Sequence, residues 1–302
     1  MTTKPVRFAS AVIVIFSLLV PSAFADEHPA NIKSIVTGNN LFALELYAQL
    51  KKEKGNLFFS PYSISSALAM TYNGARGDTA KEMANTLHFP PGAEQTNPVF
   101  AGLNAQLDEV QKQGNVKLLI ANSLWPQKDH HFLPEFLSVM QRYFGASVLP
   151  VDYLNASEKA RARINGWVED RTQGKIRDII QNPLPSNTSL VLVNAIYFKG
   201  NWAQQFDPKR TAKADFSLPT GAKTQVSLMR QAGRFGYHEI NDAKLLELPY
   251  AGGQLSMIFV LPNKSSQLSR LEDELTSANL TSWLSGIKEQ FVSVELPKIK
   301  VT

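Results

Sequence analysis

From Leu190 to Trp202 the chain reads Leu-Val-Leu-Val-Asn-Ala-Ile-Tyr-Phe-Lys-Gly-Asn-Trp, an apolar run without alternation, broken by one amide and closed by a Gly-Asn turn. β-Branched and aromatic residues in such a run, bounded by Asn187-Thr188-Ser189 and Gly200-Asn201, predict a strand covered on both faces. Asn194 is then out of place. A buried amide left unpaired costs about 1–3 kcal/mol, so another buried segment must supply its polar partners.

The rest of the pattern alternates between periods of 3.6 and 2. Apolar residues at helical spacing predict amphipathic helices over 39–52, 97–113, 134–144 and 155–172, with short helices over 268–275 and 280–287. Strands are predicted over 56–59, 115–125, 147–151, 235–240, 244–249, 254–261 and 291–301. A hairpin is predicted within 206–229 around Pro219-Thr220-Gly221. Ser60-Pro61 predicts a helix start, with Ser60 as N-cap and Pro61 at the first helical position. The helix that follows, 63–74, carries Ser65, Ser66, Ala67 and Ala69 where a surface helix would carry charge, so it should run through the interior. Ser60 and Ser63 are the hydroxyls best placed to meet Asn194.

Several short strings carry little. Arg76-Gly77-Asp78 sits where a turn enters a helix capped by Asp78 or Thr79, with Glu82 as capping-box partner. His130-His131 reads as a turn, because adjacent histidines do not face one way on a helix or strand and no carboxylate ligand follows at helical spacing. Gly-x-Ser-x-Gly, His-Glu-x-x-His and Gly-x-x-x-x-Gly-Lys do not occur, which argues against an enzyme.

Composition changes the picture at the N-terminus. Lys4 and Arg7, an apolar stretch over 11–20 and Ala23-Phe24-Ala25 have the form of a secretory signal peptide over residues 1–25, too short to span a bilayer. That reading makes the protein exported, secreted or periplasmic, and bacterial. Removing the two positive charges of that segment takes the formal charge from +5 to +3, too little to imply a nucleic-acid partner. With 0 cysteines there are no disulfides, and a chain of this size does not need them. No linker, repeat or charge block divides residues 26–302, which read as one α+β domain.

Five motifs together resemble one family. Asn-Leu-Phe-Phe-Ser-Pro-Tyr-Ser-Ile (56–64), Gly-Ala-Arg-Gly-Asp-Thr (74–79), Thr-Gln-Gly-Lys-Ile (172–176), Leu-Val-Asn-Ala-Ile-Tyr-Phe-Lys-Gly-Asn-Trp (192–202) and Val-Glu-Leu-Pro-Lys-Ile-Lys (294–300) occur in the order and spacing of the serpins. The resemblance implies an α+β fold with a large central mixed sheet, two smaller sheets and about nine helices. It implies inhibition of serine or cysteine proteases by a one-use trap, in which a cleaved reactive loop inserts as a new strand into the large sheet. Ser60, Ser63 and Asn194 match the polar cluster that the family calls the shutter, and Trp202 matches its breach. Helix 155–172 would lie across the sheet. Family members continue past the position of Thr302 with the reactive loop and closing strands, so the sequence reads as a fragment or a truncated product with the C-terminal strands missing and the bait residue beyond it. A target protease is the implied partner, the full-length protein is expected to be a monomer, and no cofactor or metal is implied. Glycosaminoglycan activation through helix 97–113 is not expected, since its single base is Lys112. The alternative is a non-inhibitory serpin-fold protein, a chaperone or a small-ligand carrier.

Overall fold

The computed structural model describes residues 4–7, 13–18, 32–53, 55–218 and 222–298. In chain order the elements are β1 Lys4–Arg7, β2 Ile13–Leu18, α1 Ile32–Leu50, α2 Pro61–Tyr72, α3 Gly77–Leu87, α4 Ala93–Lys112 and β3 Val116–Pro126. They continue with α5 Pro134–Phe144, β4 Ser147–Val148, α6 Tyr153–Arg171, β5 Leu190–Gly200, β6 Ala212–Ser217 and β7 Lys223–Glu239. The last are β8 Ala243–Pro249, β9 Leu255–Pro262, α7 Leu268–Asp273, α8 Ser277–Ser285 and β10 Lys288–Pro297. Eight α-helices among the described residues make the fold α+β, one helix short of the expectation. Contacts divide the chain into two compact units, Met1–Ala25 with Leu44–Phe58 and Gly200–Thr302, and Asp26–Ala43 with Phe59–Lys199.

The first unit is built on a sheet of order β1-β10-β7-β8-β9-β2, with β6 also paired to β7. Its spine is β7, which replaces two expected strands by one of 17 residues. β7 pairs in turn with β6 over 223–228, with β10 over 228–237 and with β8 over 236–239. Gly233 and Gly236 permit this: a Cβ at Gly236 would lie 2.8 Å from Ile287 Cγ2 and 2.7 Å from Glu247 Oε2. Where a large sheet and two smaller ones are expected, the described residues form two sheets, this one of seven strands and another of three. The turn Pro219-Thr220-Gly221 lies outside the described residues, as do residues 299–302 of the expected last strand.

Alternation places Leu246, Leu248, Phe259 and Leu261 with Val292, Val294 and Leu296 on one face. Leu245, Ile258 and Val260 lie on the other, under Leu271 of α7, Leu280 and Trp283 of α8, and Leu275 between the two helices. The expected strand over 56–59 is absent. No described segment runs beside it to complete a ladder, and Phe58 is left 80% exposed.

The second unit holds the sheet β4-β3-β5 and helices α2 to α6. Ser60 caps α2 as the sequence predicts, its hydroxyl accepting the Ser63 backbone N–H at 3.2 Å with Pro61 next. Helix α3 does not use the expected cap: Arg76 holds the N-cap position and Gly77, at φ 58°, opens the helix. Helix α4 starts four residues before the expected position, after Gly92 at φ 94°, and so takes Pro98 inside. The largest surprise is β5. The run that reads as covered on both faces is the end strand of a three-stranded sheet, and only Val193 and Ala195 in it are buried. Apolar density in a sequence records what a strand is meant to bury; whether a neighbour is present to bury it is a tertiary matter.

Helix α6 is anchored at both ends. Asp152 accepts the Asn155 N–H at 3.0 Å and the Lys128 ammonium at 3.1 Å. At the far end the Thr172 hydroxyl donates to Val168 O at 2.7 Å and accepts Ile176 N–H at 3.0 Å. Tyr153, fully buried beside the cap, donates to Trp125 O at 2.9 Å, and burial pushes its phenol up to about 12. A raised acid favours the protonated folded form below the free phenol value of about 10, so this contribution is lost as pH rises from there through 12. Tyr153→Phe should cost about 1 kcal/mol at neutral pH and remove that alkaline limb, as read from melting curves between pH 8 and 12; an unaltered limb would refute the assignment.

Candidate functional site

The polar groups that Asn194 needs come from two elements of the second unit, α2 and β3. The Ser63 hydroxyl, on the first turn of α2, donates to Asn194 Oδ1. The Asn194 side-chain N–H2 donates to Asn122 Oδ1 of β3 at 2.6 Å, and Asn122 in turn donates to Phe144 O, the last residue of α5, at 2.9 Å. A single relay of amides therefore ties α2, β5, β3 and α5 together. Every donor in it meets an acceptor, which is what a half-dry polar network needs to stabilise rather than strain its surroundings.

Each residue has a reason to be there. Ser63 points at β5 because Ser60 and Pro61 fix the first turn of α2. The small side chains behind it, Ser65, Ser66 and Ala69, let that helix pack closely, and all three are buried. The hydroxyls of Ser65 and Ser66 have no partner among the described residues. Asn194 alternates with Val193 and Ala195, which pack into the core formed with Trp125, Tyr153, Ile164 and Val168 under α6.

Of the four expected residues, the structure joins Ser63 and Asn194 directly. Ser60 is one step removed, serving the helix cap. Trp202 belongs to the other unit, where its ring stacks on Tyr250 at 4.6 Å and 12° and forms an isolated bridge with it. Asn122 is the member that the sequence reading missed. The signal was available, since Asn122-Ser123 interrupts the apolar strand 116–126 just as Asn194 interrupts its own. A second amide pair was also missed: Asn73 and Asn97 exchange two hydrogen bonds at 2.9 and 2.8 Å between the end of α2 and α4.

The other candidate strings acquire no site. Arg76 folds back on Asn73 O and Ala75 O at 2.9 and 2.7 Å, binding its own turn at the helix entry. His130 and His131 line an open cleft of about 440 Å³ with Pro126, Asp129 and Phe132. Among the described residues no group of three His, Cys, Asp or Glu side chains could hold a metal, and no helix is long and apolar enough to cross a membrane.

The family model "Serpin (serine protease inhibitor)" matches residues 37–302. The chain belongs to the serpin family. It is 42% identical to mouse leukocyte elastase inhibitor A over 281 residues, covering 89% of this chain and 73% of the relative. It is 41% identical to human leukocyte elastase inhibitor with the same coverage, and 37% identical to human serpin B3 over 89% of this chain and 74% of the relative. Among solved structures, emu ovalbumin matches with a TM-score of 0.84 at 30% identity, covering 89% of this chain and 74% of that one. Reactive-loop-cleaved human thyroxine-binding globulin matches with a TM-score of 0.82 at 31% identity, over 89% and 80%. Serpins are protease inhibitors rather than enzymes, and the relatives named as inhibitors support serpin-type protease inhibition and a protease as partner.

The same relatives overturn one expectation. The N-terminal pattern reads as a signal peptide of an exported, secreted or periplasmic bacterial protein. The relatives are mammalian leukocyte elastase inhibitors and serpins B3 and B4, from the generally intracellular group of the family that lacks signal peptides, and no comparison supports secretion or a bacterial source. The physical reason is that two basic residues before an apolar stretch satisfy an extended strand as well as an export signal, and Lys4–Arg7 and Ile13–Leu18 lie in β1 and β2.

Proposed function

We propose that this serpin inhibits serine proteases of the elastase kind by accepting a cleaved reactive loop as a new strand beside β5. The observation that carries this reading is the state of β5: an 11-residue strand with a ladder on one side only among the described residues, held to α2 and β3 by the Ser63–Asn194–Asn122 relay. An open edge of that length is a template for strand addition. The relay gives the edge a defined register and a polar latch. Ser60, Ser63, Asn122 and Asn194 are assigned the shutter role, and Trp202, stacked on Tyr250, the breach. The names of the relatives, leukocyte elastase inhibitors, support the protease class.

The test is a chimera in which this chain is continued by the part of human leukocyte elastase inhibitor that lies beyond its similarity to it. Incubated with pancreatic elastase, the chimera should form an SDS-resistant complex at near one-to-one stoichiometry. Cleavage of the chimera with full retention of elastase activity would refute the reading.

A further inference from the structure

We infer that Lys117, Lys175 and Lys199 form a binding site for a phosphate group on the α6 face of the sheet β4-β3-β5. The cluster lies wholly in the second unit and is independent both of the Ser63–Asn194–Asn122 relay and of the inhibitory reading. The register of β3 and β5 brings two of the lysines together. The Gln127 N–H donates to Ser189 O at 2.8 Å; five residues back on β3 and five forward on β5, Asn122 meets Asn194. Neighbouring strands whose contacts retreat on one as they advance on the other are antiparallel. Five residues further in the same register, Lys117 stands opposite Lys199.

Alternation then fixes the face. Asn194 turns to Ser63 of α2, whereas Ala121, Trp125, Val193 and Ala195 turn the other way and pack with Ile164 and Val168 of α6. Lys117 and Lys199 are an even number of residues from this second set, so both lie on the α6 face. Like charges on directly facing residues destabilise a sheet. A pair of ammonium groups placed so is paradoxical unless something negative comes between them.

The turn that follows α6 brings in the third ammonium. Gln173 at φ 54° and Gly174 at φ 71° both take the left-handed conformation, which residues other than glycine seldom adopt. With the chain bent in this way, the Lys117 ammonium donates to the Gln173 side-chain oxygen, and Lys175 Nζ lies over the Tyr197 ring of β5, 6.0 Å from its centre. Tyr197 is two residues before Lys199, on the same face. Among the described residues none of the three lysines has a carboxylate partner, and the acids nearby are turned elsewhere. Glu169 pairs with Arg177 at 2.9 Å, Asp178 acts on the Arg161 guanidinium, and Asp170, between the inward Val168 and Thr172, points away from the sheet. Lys175 and Lys199 are exposed and Lys117 is half-buried, so a small anion can reach all three.

The chemistry of three converging ammonium groups selects the ligand. Each is a compact point charge with rotatable donors, suited to phosphate oxygens. A phosphate carries up to about two negative charges on three acceptor oxygens, one for each lysine. Inorganic phosphate or a short phosphate chain bound here would turn the repulsion between β3 and β5 into attraction and fasten the turn after α6 to both strands.

Isothermal titration of the full chain with tripolyphosphate, in about 20 mM salt where surface charges are little screened, should show a single site. Lys117→Gln, Lys175→Gln and Lys199→Gln should each weaken binding at least about fivefold, and the triple variant about 100-fold or more, since each removes one of three charges facing the anion. Arginine at the same positions should retain most of the affinity, and Lys213→Gln, exposed on β6 of the other unit, should leave it unchanged. Melting curves give a second readout: tripolyphosphate should raise the melting temperature of the native chain and leave that of the triple variant where it was. Absence of binding, binding indifferent to the three substitutions, or an equal rise in melting temperature in the native chain and the triple variant would overturn the proposal.

Discussion

Replacing Asn194 with Leu should lower the melting temperature by roughly 6–12 °C and speed self-association. The substitution keeps the volume of the side chain and removes both its polar ends. The Ser63 hydroxyl then loses its acceptor and Asn122 Oδ1 its donor. Each group orphaned in a half-dry interior costs about 1–3 kcal/mol. Taking a total of about 3 kcal/mol and about 2–4 °C per kcal/mol for a domain of this size gives the range stated. The loss should fall on β5 and α2 first, because the relay is what fastens one to the other. Ser63→Ala combined with Asn194→Leu should recover part of the loss, since the hydroxyl left unpaired by the single change is then gone; such non-additivity is the signature of residues in one network. Differential scanning calorimetry and light scattering on the three variants decide it, and an unchanged melting temperature in Asn194→Leu would show that the relay is decoration.

The second large effect should follow from filling the open side of β5. An extended synthetic peptide of alternating Val and Thr, 11 residues to match the strand, should anneal beside β5. A ligand that binds only the folded state stabilises it by RT ln(1 + [L]/Kd), about 2.7 kcal/mol at a hundredfold excess over Kd, so the melting temperature should rise by roughly 5–10 °C. Amide exchange in 190–200 should slow with it, and concentration-dependent oligomers should diminish, because the same backbone groups cannot serve a peptide and a second chain at once. A peptide that leaves both the melting temperature and β5 exchange untouched would show that this edge does not accept strands. The Asn194→Leu variant joins the two experiments: with its latch removed, β5 should take the peptide faster and gain more from it.

What the sequence determined by itself was everything that neighbours a few residues apart can fix. Ser60-Pro61 set the start of α2 because a cap needs only an acceptor hydroxyl and an N–H three residues on. The helices at 134–144 and 155–172 were legible from their apolar spacing, and β8 and β9 from their dense apolar runs between turns. Asn194 announced a buried polar partner because an unpaired amide is expensive wherever it is buried. The tertiary structure decided which partner, and Asn122 entered the relay through a pairing of strands 72 residues apart in the chain. It also decided which strands have neighbours. The Phe58 segment is apolar enough to be a strand yet has no ladder beside it, and β5 reads as central but lies at an edge. The N-terminal apolar stretch, whose local pattern fits export and strand equally, took its place from the sheet edges it meets at β9 and β10. Propensity and capping act within one turn or one strand, so they are written in the sequence; a ladder needs a second strand, and only the folded chain determines whether one arrives.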